Sequence, residues 1–426
     1  MAQAADHRRG YHRRMNRPRC ARFLPCLLLA FAAGSAAAFD VAPWPPPAPE
    51  GSAQPNLALA PDGRLWLSWI ERRDSGGHRL RLAAYDAAGE WRAPATVAEG
   101  RDWFVNWADF PAVAALPDGS LWAHTLVKSA EATYAYDVKL HRSADGGASW
   151  SGPVTVHDDG THTEHGFVSL WPWLHDRIAV AWLDGRATAG GHQHNHPATA
   201  GGGGAMQLRA AVFDADLSKR VEWPLDLSTC DCCQTAAAVT ARGPVLAYRG
   251  RAQGEVRDIL VTRHEDGDWT TPAKVHDDGW VMPACPVNGP ALAARGEDVW
   301  VAWYTAAGGP PAIRLTHSRD AGDRFGPMRE VARGGEVLGR VALAAAADGV
   351  WLAWLQEQHG RQTLWLARFS ADLTRELARG KIADVAGRGR GTGFPRLALR
   401  EGVAHLVWTE IVDGVPRLRG ARVRAD

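Results

Sequence analysis

"LALAPDGRLWLSWIE", Leu57–Glu71, reads as a β-hairpin whose turn is Pro61-Asp62-Gly63. An apolar stretch leads into it, and "RLWLSWIE" alternates with the period of two that marks a strand. The same pattern returns six times. It stands at "AVAALPDGSLWAHTL" from Ala112, "VSLWPWLHDRIAVAWLDG" from Val168 and "AAAVTARGPVLAYRG" from Ala236. It returns at "ALAARGEDVWVAWYT" from Ala291, "VALAAAADGVWLAWLQE" from Val341 and "LALREGVAHLVWTE" from Leu397. The units start about 50 to 70 residues apart, the spacing of four-stranded propeller blades. Third strands follow in "HRLRLAAYDA" and "AIRLTHSRDAG", and fourth strands in "GPVTVHDDG" and "TPAKVHDDG". The seventh unit lacks a fourth strand, and the segment from Phe39 is placed to supply it and close the ring. The expectation is an all-β propeller of four-stranded antiparallel blades over 39–426, seven by repeat count, with six as the alternative.

Residues 1–38 read as a signal peptide. Arg13, Arg14, Arg17, Arg19 and Arg22 precede the apolar run Phe23–Ala33, and Ala36-Ala37-Ala38 forms an A-x-A cleavage pattern. Met15 is an alternative start that gives a shorter basic region. The expected product is a periplasmic or secreted monomer with no membrane insertion after cleavage. Removing seven arginines and Asp6 leaves 41 basic against 46 acidic residues. A mildly acidic chain without a basic run gives no support to nucleic-acid binding.

Most of the 20 tryptophans recur at one place in the unit, which makes them packing between blades; Trp103 and Trp107 fall outside it and are ligand candidates. Cys20 and Cys26 leave with the signal, so the mature chain keeps Cys230, Cys232, Cys233 and Cys285. Export favours a disulfide, from Cys285 to one of the three in "STCDCCQTAAA" (228–238). The alternative is a thiolate site for copper or zinc, with His162 or His165 as further ligands; a reactive thiol is the third reading. "GHQHNHPATAGGGGAM" carries His192, His194 and His196, read either as a mobile polar insertion or as ligands for a divalent metal.

"SADGGASW", Ser143–Trp150, matches the Asp-box S-x-D-x-G-x-[ST]-W; "SRDAGDRF", Ser318–Phe325, is a looser copy and "HEDGDW", His264–Trp269, a degenerate one. On these motifs the chain resembles the sialidase-like BNR/Asp-box propellers over the whole mature length. The resemblance implies an exo-sialidase-related glycoside hydrolase. Such a site has three arginines on a substrate carboxylate, a Tyr–Glu nucleophile pair and an Asp acid/base. Arg249 matches the second arginine. Asp109 stands in the place of the first, and Arg314 is the only candidate for the third. Cys233-Gln234 occupies the place of the glutamate, and Gly339-Arg340 that of the tyrosine. The machinery of conventional sialic-acid hydrolysis is therefore mostly replaced.

In a propeller, the loops leading into the innermost strands meet at one face of the axis. Here they carry Asn106, Asp109, His162, Glu164, His165, the cysteines, Asn288, Arg340 and Arg396. The loops leaving the second strands add Asp184, Arg186, Arg249, Arg251, Glu255, Arg257 and Tyr304. Convergent polar groups at a propeller mouth are expected to bind a glycan or small polar ligand, with no cofactor required. Asp109, Glu164, His165, Arg249 and Glu255 are the expected catalytic groups; Trp103, Asn106, Trp107, Asp184, Arg186, Arg251, Arg257, Asn288, Tyr304 and Arg340 are the expected ligand-binding ones. A metal-handling propeller built on the Cys/His groups and a protein-binding scaffold are the competing functions.

Overall fold

A computed structural model describes residues 39–188 and 204–425. The signal segment and the His192–His196 stretch lie outside them. The described residues form seven antiparallel sheets of four strands, arranged as a ring of blades. The fourth strand of blade four is split, Asp268–Trp269 and Ala273–Lys274 both pairing with Ile259–Glu265. Innermost strands run, blade by blade, Ala53–Leu59, Val113–Ala115, His165–Trp173, Ala236–Thr240, Ala291–Arg295, Val337–Ala346 and Arg396–Arg400. Blade seven is completed from the other end of the chain: Phe39–Pro43 pairs with Val415–Ala425 in the register Phe39↔Ala425 to Pro43↔Ala421. The seven-blade count and the closing strand are as the repeats predict.

The alternation in the second strands means something other than one wet face. Leu65 to Ile70 are all buried. Leu65, Leu67 and Trp69 pack toward blade seven with Ala398 and Val407. Trp66 and Ile70 pack toward blade two with Val113 and Leu121. Each blade is covered on both sides, so period two here sorts residues between two neighbours rather than between core and water. Trp69, Trp122, Trp182, Trp300, Trp303 and Trp354 are at most 1% exposed, and fill these interfaces as the repeat position implies.

The rim turns follow the Asp-box logic. Asp145 accepts from Ser149 N (2.9 Å) and from the Ser149 and Ser143 hydroxyls (2.6 and 2.8 Å). Gly147, at φ +92°, turns its N–H onto Ser143 Oγ (2.8 Å). Ser318–Asp320–Gly322 repeats the arrangement. These turns are far from the axis in the blade order and fix the hairpins, not the chemistry.

Candidate functional site

At the axis, one polar contact ties each blade to the next. Asn56 Oδ1 accepts from Val113 N (3.4 Å), Asp109 Oδ1 from Phe167 N (2.8 Å), and Ser169 Oγ meets Thr235 Oγ1 (2.7 Å). Gln234 Oε1 accepts from Gly289 N (3.0 Å) and Asn288 Oδ1 from Arg340 N (2.8 Å). Arg340 Nη1 reaches Thr392 Oγ1 (2.8 Å), and Arg396 Nε reaches Pro55 O (3.2 Å), completing the circle. The backbone is shaped for these ties. Phe167 and Arg340 have φ of +54° and +55°, a left-handed conformation that costs a side-chain-bearing residue roughly 1–2 kcal/mol. A Cβ on Gly166 would fall 1.9 Å from Asp109 Oδ2, and one on Gly289 2.1 Å from Gln234 O.

Asp109 is the odd member of this ring. Asn56, Gln234 and Asn288 do the same job with neutral amides. Asp109 Oδ2 also accepts from Tyr136 Oη (2.7 Å), and the same hydroxyl lies 3.0 Å from Glu164 Oε1. Asp109 and Glu164 are 3% exposed and Tyr136 not at all. Desolvation pushes Asp109 up to about 7 against the Tyr136 and Phe167 hydrogen bonds. Desolvation also raises Glu164 well above the carboxylate range, aided by Asp109, Asp231 and Cys285 nearby. Its Oε2 has no protein partner. Burial and the two adjoining carboxyl groups hold the Tyr136 phenol protonated. At neutral pH Glu164 and Tyr136 hold their protons, while Asp109 sits near its midpoint.

Asp109 lines a cavity of about 320 Å³ running along the axis, walled by all seven innermost strands. Arg396 lines it too, its guanidinium 4.1 Å from the Phe110 ring centroid, with Nη2 unpartnered. Desolvation lowers Arg396 to about 9. Gln234, Ser169 and Thr235 add neutral polar groups. A carboxyl and a guanidinium thus face a space of ligand-site size.

Other expected site residues are engaged elsewhere, and several readings need correction. Arg249 is committed to backbone carbonyls. It is 1% exposed, and it donates to the carbonyls of Asn288 (3.1 and 2.8 Å), Arg257 (2.6 Å) and Tyr304 (2.8 Å). Its guanidinium rests on the Trp280 ring, so carbonyl oxygens take the place of a substrate carboxylate. Glu255 is held by Arg251 (2.7 Å) and Arg257 (2.5 Å). Although burial opposes it, these bonds keep Glu255 below its usual range, which disqualifies it as a proton donor at neutral pH. Arg314 pairs with Asp278. Asp184 and Arg186 bind each other in a bidentate pair (2.8 and 2.8 Å), with Asp184 fully buried. Asn288 and Arg340 are ring ties; Arg340 also stacks on Trp107 at 4.9 Å. Trp107 stacks in turn on Phe394 (5.8 Å). Asn106 Oδ1 caps Ala108 N (2.8 Å). Tyr304 packs edge-on to Trp280 (5.7 Å), and Trp103 packs against the core between blades one and two. Tyr136, Gln234 and Asn56 were missed by the sequence reading. Tyr136 opens a third strand, outside the loops that pattern reasoning searches.

His165 and His162 part company. His162 is exposed. His165 is fully buried, 3.1 Å from Asp159 and stacked on His157 (centroids 3.5 Å, 3° between planes). Neither belongs to the sulfur cluster. There, Cys230 Sγ lies 3.4 Å from Cys233 Sγ and 3.9 Å from Cys232 Sγ. Cys285 lies within hydrogen-bond reach of Cys232. The expected disulfide is not seen: among the described residues Cys230, Cys232 and Cys233 carry none.

This geometry defines a seven-bladed β-propeller with a polar axial cavity. Among solved structures, the endosialidase of phage phi92 superposes with a TM-score of 0.50 at 9% identity, over 92% of this chain and 70% of that one. The polysaccharide lyase Uly1 gives 0.49 at 10% identity, over 89% and 90%. A mutant of Trypanosoma rangeli sialidase gives 0.48 at 13%, over 86% of this chain and 59% of its own length. At such identities the likeness is one of fold. No known family profile and no curated protein matches the chain.

Proposed function

We propose that this chain is an exported propeller that binds a glycan in its axial cavity and works on it with Asp109. The observation that carries the reading is the carboxyl at Asp109, where the other side chains that accept a backbone N–H across the ring, Asn56, Gln234 and Asn288, are amides. A side chain needed only to accept a backbone N–H is served by Asn or Gln. A carboxyl whose pKa is near 7 can both give and take a proton at neutral pH. Tyr136 and Glu164 behind it extend the hydrogen-bonded chain, while Arg396, which also lines the cavity, brings a guanidinium to the ligand's side. Tyr136 is too deeply buried to attack a sugar, so the nucleophile pair of conventional sialidases is not reproduced. The choice of a glycan follows the resemblance to the Asp-box propellers.

The mature chain should be screened against a glycan array, followed by mass spectrometry of released sugar from every glycan bound. Binding abolished by Arg396→Ala, with turnover but not binding lost in Asp109→Asn, is the expected result. Absence of any glycan bound by folded protein sinks the reading.

A further inference from the structure

The sulfur cluster stands apart from the cavity, since none of its four cysteines lines it. Its geometry also argues independently of the glycan reading. A tetrahedral ion bonded to sulfur at about 2.3 Å sets neighbouring sulfurs about 3.8 Å apart. The observed Sγ···Sγ distances of 3.4 and 3.9 Å bracket that value. The ligand atoms of Cys230, Cys232 and Cys233 all lie within 4.8 Å of one another, and the three residues are 1%, 9% and 2% exposed.

We propose that Cys230, Cys232 and Cys233 form a trithiolate site for one thiophilic ion, copper(I) or zinc(II), at the junction of blades four and five. The surroundings suit an anionic metal–thiolate centre. Cys233 lies beside the Arg249 guanidinium and the Asn288 backbone N–H. An ion bound there would displace the thiol protons of the cysteines that hold it. Arg257, 3% exposed with Nε and Nη1 unpartnered, faces Cys230. Cys285, beside Cys232, is placed to add a fourth sulfur from blade five.

Two other groupings have ligand spacing, Asp137–His157–His165 and Asp159–His165–Asp184. Their carboxylates are already matched by Lys139 (3.0 Å) and Arg186 (2.8 Å), so an ion there would add charge to a neutral network. The soft sulfur cluster is the better host.

The test uses the mature chain from Phe39, prepared reduced and without oxygen, then given one equivalent of copper(I) or of zinc(II) against a competing chelator. Native mass spectrometry should show about one ion per chain for one of the two metals, and X-ray absorption should place sulfur at about 2.3 Å from it. Cys233→Ser and Cys230→Ser should each weaken retention at least tenfold, judged on variants whose near-ultraviolet circular dichroism matches the parent. Should a variant fail to fold, absorption on the parent chain still decides the ligands. The proposal is overturned if folded reduced protein retains neither metal, if the bound ion has no sulfur neighbours, or if folded serine variants keep it unchanged. It is also overturned if exported protein carries no ion and has lost the hydrogens of a disulfide within the cluster.

Discussion

Glu164 and His165 are neighbours in the chain, yet each enters a cluster with a different charge balance. His165 joins a network between blades two and three in which every carboxylate meets a cation. Asp137 has Lys139, Asp184 has Arg186, and Glu222 has Arg186 (3.0 Å), Arg209 (2.7 Å) and Lys219 (2.6 Å). Glu164 joins a cluster short of positive charge. Its Oε2 and Asp231 Oδ1 have no protein partner, and Asp231 meets Arg251 only at 3.6 Å. The pKa directions agree with the contacts. Burial opposes ionisation of Asp159, but hydrogen bonds from His165 and Thr161 drive it far down. Asp231, desolvated beside Cys230, rises to about 6. A network that balances its own charge has no need of a ligand. A cluster that holds protons for want of cations is where a ligand or an ion changes most.

That contrast is broken most severely at Asp184. It is fully buried and accepts from Trp182 Nε1 (2.7 Å), Arg186 N (3.0 Å) and two guanidinium nitrogens (both 2.8 Å). Asp184→Ala leaves Arg186 half-compensated and an indole N–H bare. The expected loss is about 3–5 kcal/mol, read as a lower urea midpoint at unchanged m-value. A loss under about 1 kcal/mol would place the network among the energetically idle surface pairs.

Asp109→Asn probes the other side and has the opposite sign at high pH. The folded pKa of Asp109, about 7, lies above its ordinary value of 3.8. The folded state therefore holds the proton longer than the unfolded one. Stability falls as pH rises from about 4 and levels off above about 7, by up to about 4 kcal/mol from this group. Asn cannot ionise. The variant should lose that slope and be the more stable protein at pH 8. Denaturation midpoints at pH 4.5, 6 and 8 on both proteins decide it; parallel curves would mean that Asp109 ionises freely in the fold.

The blades were legible because a packing requirement repeats: each second strand needs large apolar residues on both sides, and Trp69, Trp182, Trp303 and Trp354 answer it at the same step. The ring closure by Phe39–Pro43 followed from counting strands. The site was legible only in part. Asp109 was found through its oddity against the family pattern, and the cysteines through their density. Arg249 was misread because a motif match reports where a side chain starts, not what it meets. Three backbone carbonyls from three other segments, at Arg257, Asn288 and Tyr304, hold it, and those contacts come from folding the ring. Tyr136 went unseen for the same reason: its hydroxyl acquires meaning only when Asp109, 27 residues away, and Glu164, 28 residues away, arrive at either side.

The smallest effect sharpens the comparison by removing a histidine that belongs to neither cluster. His162 sits three residues before His165, and residue type alone makes them equivalent ligand candidates. In the fold His162 is exposed, while His165 is fully buried against Asp159 and stacked on His157. His162→Ala should shift stability by less than about 0.5 kcal/mol and leave copper or zinc retention untouched. His165→Ala should also spare the ion but destabilise the chain, because Asp159 loses its imidazole partner and His157 its stacking face. Metal retention that falls in either variant would join the imidazoles to the sulfur centre and erase the separation between a charge-balanced cluster and a charge-poor one.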